Sequence, residues 1–395
     1  MKNSFRFCRY HVLYLLTISI FFSALSASAD IVTNLIQSFP AADGKLALLV
    51  HLLDTDTSNH LAGSLTIFDK DNNKIVDEPH LGGYADYIIT HFTGKRLLQR
   101  TPEGVASNQF KFILYKLTRK GLVRMNEQVV TDSFMGYIHK SYISIMQTPS
   151  GSHGCTVFNA SFKKLLYSIP MLPGPLYDSW GNGVMVRVFT SNAVETITYY
   201  KKGTILATHV LPALSNGFYN IRQDSKGGLL YWISIGPMNS YTNLPVTYLT
   251  AKGQKKPDNA SLQDAAVYWR VNSWDGKYLY IHNPGTDSNI VYKLTKKADK
   301  LGDVIVSNRV NTLVDKSKVY FFINDGCGYG IVEYDRKLSK KKWTDPCTPG
   351  SLVYMGNGVF KRQHSVDNGT TGLDVTITIF TRRKTIATHT YLQPY

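Results

Sequence analysis

An all-β repeat fold is predicted by three features of this 395-residue sequence. Short segments rich in Tyr, Val, Ile and Thr recur along it, a composition that suits pleated, half-buried strands. Two markers return at a spacing that matches four antiparallel strands plus their turns. No helical periodicity competes with them. Eight such units fill the chain, which predicts an eight-bladed β-propeller, with seven blades the second choice.

The N-terminus reads as a targeting segment. Lys2, Arg6 and Arg9 form a positive stretch, Val12 to Phe22 is apolar except for Thr17 and Ser19, and Ala27-Ser28-Ala29 offers a small-x-small cleavage site. Residues 1–29 are therefore expected to be a signal peptide and residues 30–395 a single propeller domain, secreted or periplasmic. The apolar run is short for a bilayer span, which takes about 20 apolar residues. No second stretch resembles a membrane helix.

The first marker is a β-rich segment with an aromatic near its middle. It centres on Phe68, Tyr115, Phe158, Tyr199, Tyr248, Tyr292, Tyr334 and Phe380, at steps of 41 to 49 residues. The second is a turn residue followed by a short apolar strand, as in Gly44–Leu48, Gly94–Leu98, Gly183–Val186, Gly228–Trp232, Gly276–Tyr280, Lys318–Phe322 and Gly358–Phe360. Tyr142–Ile145 fills the remaining slot without the glycine. Two units share wording: Thr204-Ile205-Leu206-Ala207-Thr208-His209 and Thr385-Ile386-Ala387-Thr388-His389. With strands named A to D from the axis outward, the apolar marker is B and the aromatic marker is C. A lone blade cannot bury both faces, whereas neighbouring blades bury each other's and leave few open edges. The Tyr and Phe residues then serve blade-to-blade packing.

Ser273-Trp274-Asp275-Gly276-Lys277-Tyr278-Leu279-Tyr280-Ile281 resembles the Asp-Gly-Lys class of propeller repeats seen in lactonase-like and surface-layer propellers. Asp224-Ser225-Lys226-Gly227-Gly228-Leu229-Leu230-Tyr231 is a looser copy. The resemblance implies a propeller fold and covers two of the eight units. Asp315-Lys316-Ser317-Lys318 departs from it, and no Trp-Asp pair or aspartate box is present.

Removing the leader leaves 41 basic against 28 acidic residues. That surplus points to anionic partners such as phosphorylated lipid, acidic glycan or nucleic acid. There is no specific nucleic-acid motif and no arginine-rich block. Lysines fall mostly in hairpin turns, such as Lys201-Lys202, Lys255-Lys256 and Lys340-Lys341-Lys342, where solvation and the blunting of sheet edges account for them.

Candidate chemistry lies after the B strands, where loops of a rigid ring converge. The first unit offers His51, Asp54 and Asp56; the sixth His282, Asn283 and Asp287; the seventh Asn324 and Asp325; the eighth His364 and Asp367. In a closed ring these units are contiguous, so the imidazoles and carboxylates would suit a divalent metal or a general acid and base. The same residue types are common wherever strands turn. No cofactor motif, nucleophile elbow or phosphate-binding loop occurs. Cys327, after strand B of the seventh unit, and Cys347, after its strand D, are expected on one face and joined as a disulfide worth about 3 kcal/mol. Cys155 is expected to be a buried thiol. The sequence thus predicts an exported scaffold that binds a protein, glycan or anionic envelope component through one face. The alternative is a hydrolase or lyase acting on a sugar or lactone through His51, His282 and His364.

Overall fold

The computed structural model describes the chain except for residues 1–21, 24–31, 55–59, 81–87, 103–107, 150, 179–182, 192–193, 213, 215–217, 236–241, 244–245, 256–269, 275, 284–285, 295–297, 316, 370–371 and 395. Its strands form eight antiparallel sheets, each built from one continuous stretch of sequence. The chain is an eight-bladed β-propeller. All eight apolar markers fall on second strands, and all eight aromatic markers on the strands that follow them.

The two marker types differ because B strands are covered on both sides. In blade 1, strand B runs Leu46–Asp54. Successive side chains of a strand point to opposite faces. Leu46 and Leu48 accordingly pack with Val375, Ile377 and Ile379 of blade 8, while Ala47 and Leu49 pack with Ile89 and Leu97 of blade 2. A strand buried on both faces needs an unbroken apolar run, which is what Leu46-Ala47-Leu48-Leu49-Val50 supplies. Each such buried aliphatic side chain contributes roughly 2 kcal/mol.

The chain divides into two compact units of four blades. One holds blades 8, 1, 2 and 3, in residues 350–395 and 14–172. Its cores lie between blades 8 and 1, blades 1 and 2, and blades 2 and 3, the last formed by Leu98, Phe112 and Leu114 against Ile143, Ile145 and Phe158. Phe22–Ser23 adds a short fifth strand to blade 1 by pairing with Thr33 and Val32. The rest of the expected signal peptide lies outside the described residues.

The other unit holds blades 4 to 7, within residues 173–349. Val184, Val186 and Tyr199 pack on Leu229, Leu230 and Trp232 on Leu279 and Ile281, and Tyr280 and Val291 on Val319 and Phe321. In blade 5 strand C is split into Thr242–Asn243 and Thr247–Leu249, both paired with strand B. Among the described residues its outer edge carries only the bridge from Leu249 to Lys255.

The C–D turns share a device that differs in residue type from blade to blade. Asp69 Oδ1 accepts from the backbone N–H groups of Asp71 and Asn73, both at 2.9 Å. Asn159 Oδ1 accepts from those of Lys163 and Lys164 at 2.9 and 3.2 Å. Asp335 Oδ1 accepts from those of Ser339 and Lys340 at 2.8 and 3.2 Å. Side-chain oxygens that cap a turn in this way fix its backbone. The side-chain amide and backbone N–H of Asn73 hold the Asp69 carboxyl below its usual range. A depressed folded-state pKa adds stability above the ordinary carboxylate value, and that stability is lost as pH falls through the depressed one. Asp69→Ala is expected to cost about 1 kcal/mol at neutral pH. Asp69→Asn should keep most of the stability and remove this carboxyl's share of its loss in acid, so that the urea midpoint falls less between pH 7 and pH 3 than it does for the parent.

Candidate functional site

The residues expected after the B strands lie mostly inside them. His51 and Asp54 belong to strand B of blade 1, His282 to that of blade 6 (Tyr278–Asn283), and His364 and Asp367 to that of blade 8 (Val359–Asp367). The apolar markers are only the first halves of these strands, so the loops begin later than the sequence suggested. Asp287 and Asp325 do occupy B–C connections. Asp56 lies outside the described residues, as does the side chain of Asp54.

His51 is fully buried, opposite Leu35 and Gly63. His364 is half-buried opposite Thr376. Asp325 Oδ1 accepts from the backbone N–H of Cys327 at 3.0 Å, and Asp367 Oδ1 from that of Gly369 at 2.7 Å. These two carboxylates close their own hairpin loops. Among the described side chains of this set, only His282 and Asp287 come together, with Nε2 3.4 Å from Oδ1. A partner that sequence reasoning missed completes the contact: Arg309, at the start of blade 7, places Nη2 2.6 Å from His282 Nδ1. The guanidinium donates to Nδ1, so the ring proton sits on Nε2 and faces the carboxylate. Both ring nitrogens are engaged, and neither offers a lone pair to a metal or a substrate proton. Among the described residues no three His, Cys, Asp or Glu side chains gather into a metal-binding group.

The expected disulfide is not formed. Cys327 is an exposed thiol and Cys347 a half-buried one. Cys347 lies within strand D (Lys341–Thr348) rather than after it, and its Sγ sits 3.9 Å from the carbonyl oxygen of Ile323. Pro346 stands inside this outer strand, which tolerates proline because its N–H side faces solvent. Cys155 is a buried free thiol, as expected.

The charged side chains show an asymmetry between the two ends of the blades. In a four-stranded meander the A–B and C–D turns lie at one end, and the B–C and D–A connections at the other. In the unit of blades 8, 1, 2 and 3, the first end carries Lys95, Arg119, Lys120, Lys140, Lys163, Lys164, Arg382, Arg383 and Lys384. The turns bearing these residues contain no carboxylate. Blade 1 alone adds acids, and there Asp43 pairs with Lys45 at 2.6 Å and Asp71 with Lys70. In the unit of blades 4 to 7 the same turns carry Lys202, Lys226, Lys252, Lys277, Arg336, Lys337 and Lys340. Asp224 is buried there, accepting from the backbone N–H groups of Lys226 and Gly228 at 2.7 and 2.9 Å and from the Tyr248 hydroxyl at 2.9 Å. Burial, together with that carboxylate, pushes the Tyr248 phenol far above its usual range. The B–C and D–A connections of both units contain no Lys or Arg among the described residues. Lys256 falls in a stretch outside them. Solvation alone asks for no such preference for one end.

No family model matches the sequence, and no curated protein does. Among solved structures, the chain is similar to a eukaryotic initiation factor, with 12% identity over 95% of this chain and 96% of that one, at a TM-score of 0.50. It also matches the β-propeller domain of the Trilobed protease from Pyrococcus furiosus, at 12% identity over 77% and 98% of the two chains and a TM-score of 0.43. The acylaminoacyl peptidase of Pyrococcus horikoshii matches at 8% identity over 96% of this chain and 59% of that one, with a TM-score of 0.39. At such identities the likeness concerns the fold alone, and the Asp-Gly-Lys resemblance likewise reaches no further than the propeller. No helix among the described residues is long and apolar enough to cross a membrane.

Proposed function

We propose that this chain is an exported binding scaffold that engages an anionic envelope component through the blade ends bearing the A–B and C–D turns. The observation that carries the reading is the segregation of charge: basic residues recur in the turns at one end, and the described connections at the other lack them. Arrays of like charge on rigid turns raise the local concentration of opposite charge and speed its capture. The capped turns hold these cations in fixed positions. The expected signal peptide supports this reading, since export would bring envelope polymers and surfaces within reach.

The hydrolase or lyase reading requires His51, His282 and His364 to offer nitrogen to a substrate. His51 is buried in a strand, and His282 is committed to Arg309 and Asp287. Binding is therefore the better-supported function.

The test uses the full chain on immobilised heparin as an anionic probe, beside neutral dextran. Binding to heparin alone is expected, weakening steeply as salt is raised. Replacing Arg382, Arg383 and Lys384 with glutamate should weaken it about tenfold or more, whereas Asp325→Asn should leave it unchanged. Equal retention on dextran, or retention indifferent to salt, would overturn the reading.

A further inference from the structure

The unit of blades 8, 1, 2 and 3 carries a second feature beside its basic turns. Outer strands of a propeller expose an edge, and such edges are usually protected by charge or proline. In blade 2 the Arg119-Lys120 turn runs into strand D (Gly121–Thr131), where Val123 is 50% and Met125 39% exposed. In blade 3 the Lys163-Lys164 turn runs into strand D (Leu165–Pro173), where Leu165 is 53% and Leu166 47% exposed. The two places adjoin. Asn126 Nδ2 and Gln128 Nε2 on the outer strand of blade 2 donate to the carbonyl oxygens of Ser161 and Phe162 in the C–D turn of blade 3, at 2.8 and 2.9 Å. Cations and bare aliphatic side chains thus share one corner. Glu127, the acid in that strand, is paired with Arg124.

We infer that this corner of blades 2 and 3 docks on a lipid bilayer bearing anionic headgroups. The inference rests on the binding reading above and names its partner. Lysine and arginine beside an anionic leaflet each contribute about 1 kcal/mol, and aliphatic side chains next to them enter the boundary between headgroups and acyl chains. The other anionic partners fit less well. A polysaccharide gains nothing from exposed leucine, and single-stranded nucleic acid calls for aromatic stacking platforms. An acidic protein would be matched by the cations alone. The capped turn at Asn159 fixes the backbone that carries Lys163 and Lys164, so little ordering is needed on contact.

The experiment is co-sedimentation of the full chain with vesicles of phosphatidylcholine alone and of phosphatidylcholine mixed equally with phosphatidylglycerol. Partitioning onto the mixed vesicles only is expected. Lys163→Glu with Lys164→Glu should reduce it at least about 30-fold. Leu165→Ser with Leu166→Ser should reduce it about tenfold while leaving its salt dependence in place. All four side chains are exposed, so both variants should keep the parent's urea midpoint, which is measured alongside. Equal binding to both vesicles, no binding to the mixed ones, or no effect of the lysine pair overturns the inference. So does light scattering that shows the serine variant breaking up a self-associated form, because the leucines would then cover a second copy. If the chain ignores the mixed vesicles yet still binds heparin in a salt-dependent way, this inference fails and the broader reading stands. If it binds neither, both fail.

Discussion

Replacing His389 with alanine is expected to lower the free energy of unfolding by about 3 kcal/mol. His389 is buried on the outer strand of blade 8 (Thr385–Pro394), and its ring reaches into blade 1. Nε2 donates to the carbonyl oxygen of Gly44 at 2.7 Å, and Nδ1 lies 2.6 Å from Asn72 Oδ1. Asn72 Nδ2 in turn donates to the carbonyl oxygen of Thr388 at 2.9 Å. Among the described residues, blades 1 and 8 are each built from one continuous stretch, and no strand is exchanged between them. The junction therefore rests on side chains: the apolar contact of Leu46 and Leu48 with Val375, Ile377 and Ile379, and this polar latch. Alanine would strand the Gly44 carbonyl without its partner and leave a void beside it, two costs that add. His209 offers an internal control. It stands at the same place in the shared Thr-Ile-Leu-Ala-Thr-His wording of blade 4 and bonds Gly227 O at 2.9 Å, with the Tyr199 ring edge-on to it. His209→Ala should cost less than His389→Ala, because one polar contact is lost rather than two. Equal urea midpoints for the parent and the His389 variant would show that the latch contributes nothing.

That latch shows how far the sequence could be read. The repeat was legible because burial on both faces forces an apolar run on every B strand, and Leu46–Val50 shows this plainly. The repeated Ala-Thr-His ending was visible too, but its purpose was not, since its partners lie in the next blade: Gly44 and Asn72, more than three hundred residues away for His389. The turn caps escaped notice for another reason. Asp69, Asn159 and Asp335 perform one task with different residue types, which hides them from a search for identical letters. His282 was read as a loop residue because its strand outlasts the apolar marker, and Arg309 could not be paired with it before the blades were placed. The lysines were seen residue by residue. Only the assignment of each turn to one end of its blade converts them from scattered solvation into a one-sided array.

A glycine at the B–C loop of blade 7 should be still less replaceable than the histidine. Gly328→Ala is expected to cost more than about 3 kcal/mol. Gly328 has φ of +154°, a conformation that side-chain-bearing residues rarely adopt, and an added Cβ would overlap the carbonyl carbon and oxygen of Thr348 and lie 2.7 Å from Pro349 N. Those are backbone atoms at the end of strand D, so no side-chain rotation relieves the clash. Gly326, in the same loop, separates strain from overlap: its φ is +89°, but nothing lies within 4 Å of the added carbon. Gly326→Ala should therefore cost only about 1 kcal/mol. The gap between the two variants measures how tightly the loop bearing Asp325 and Cys327 is pressed onto strand D. If the two alanine variants unfold at the same urea concentration, the close approach of Gly328 to Thr348 is absent in solution.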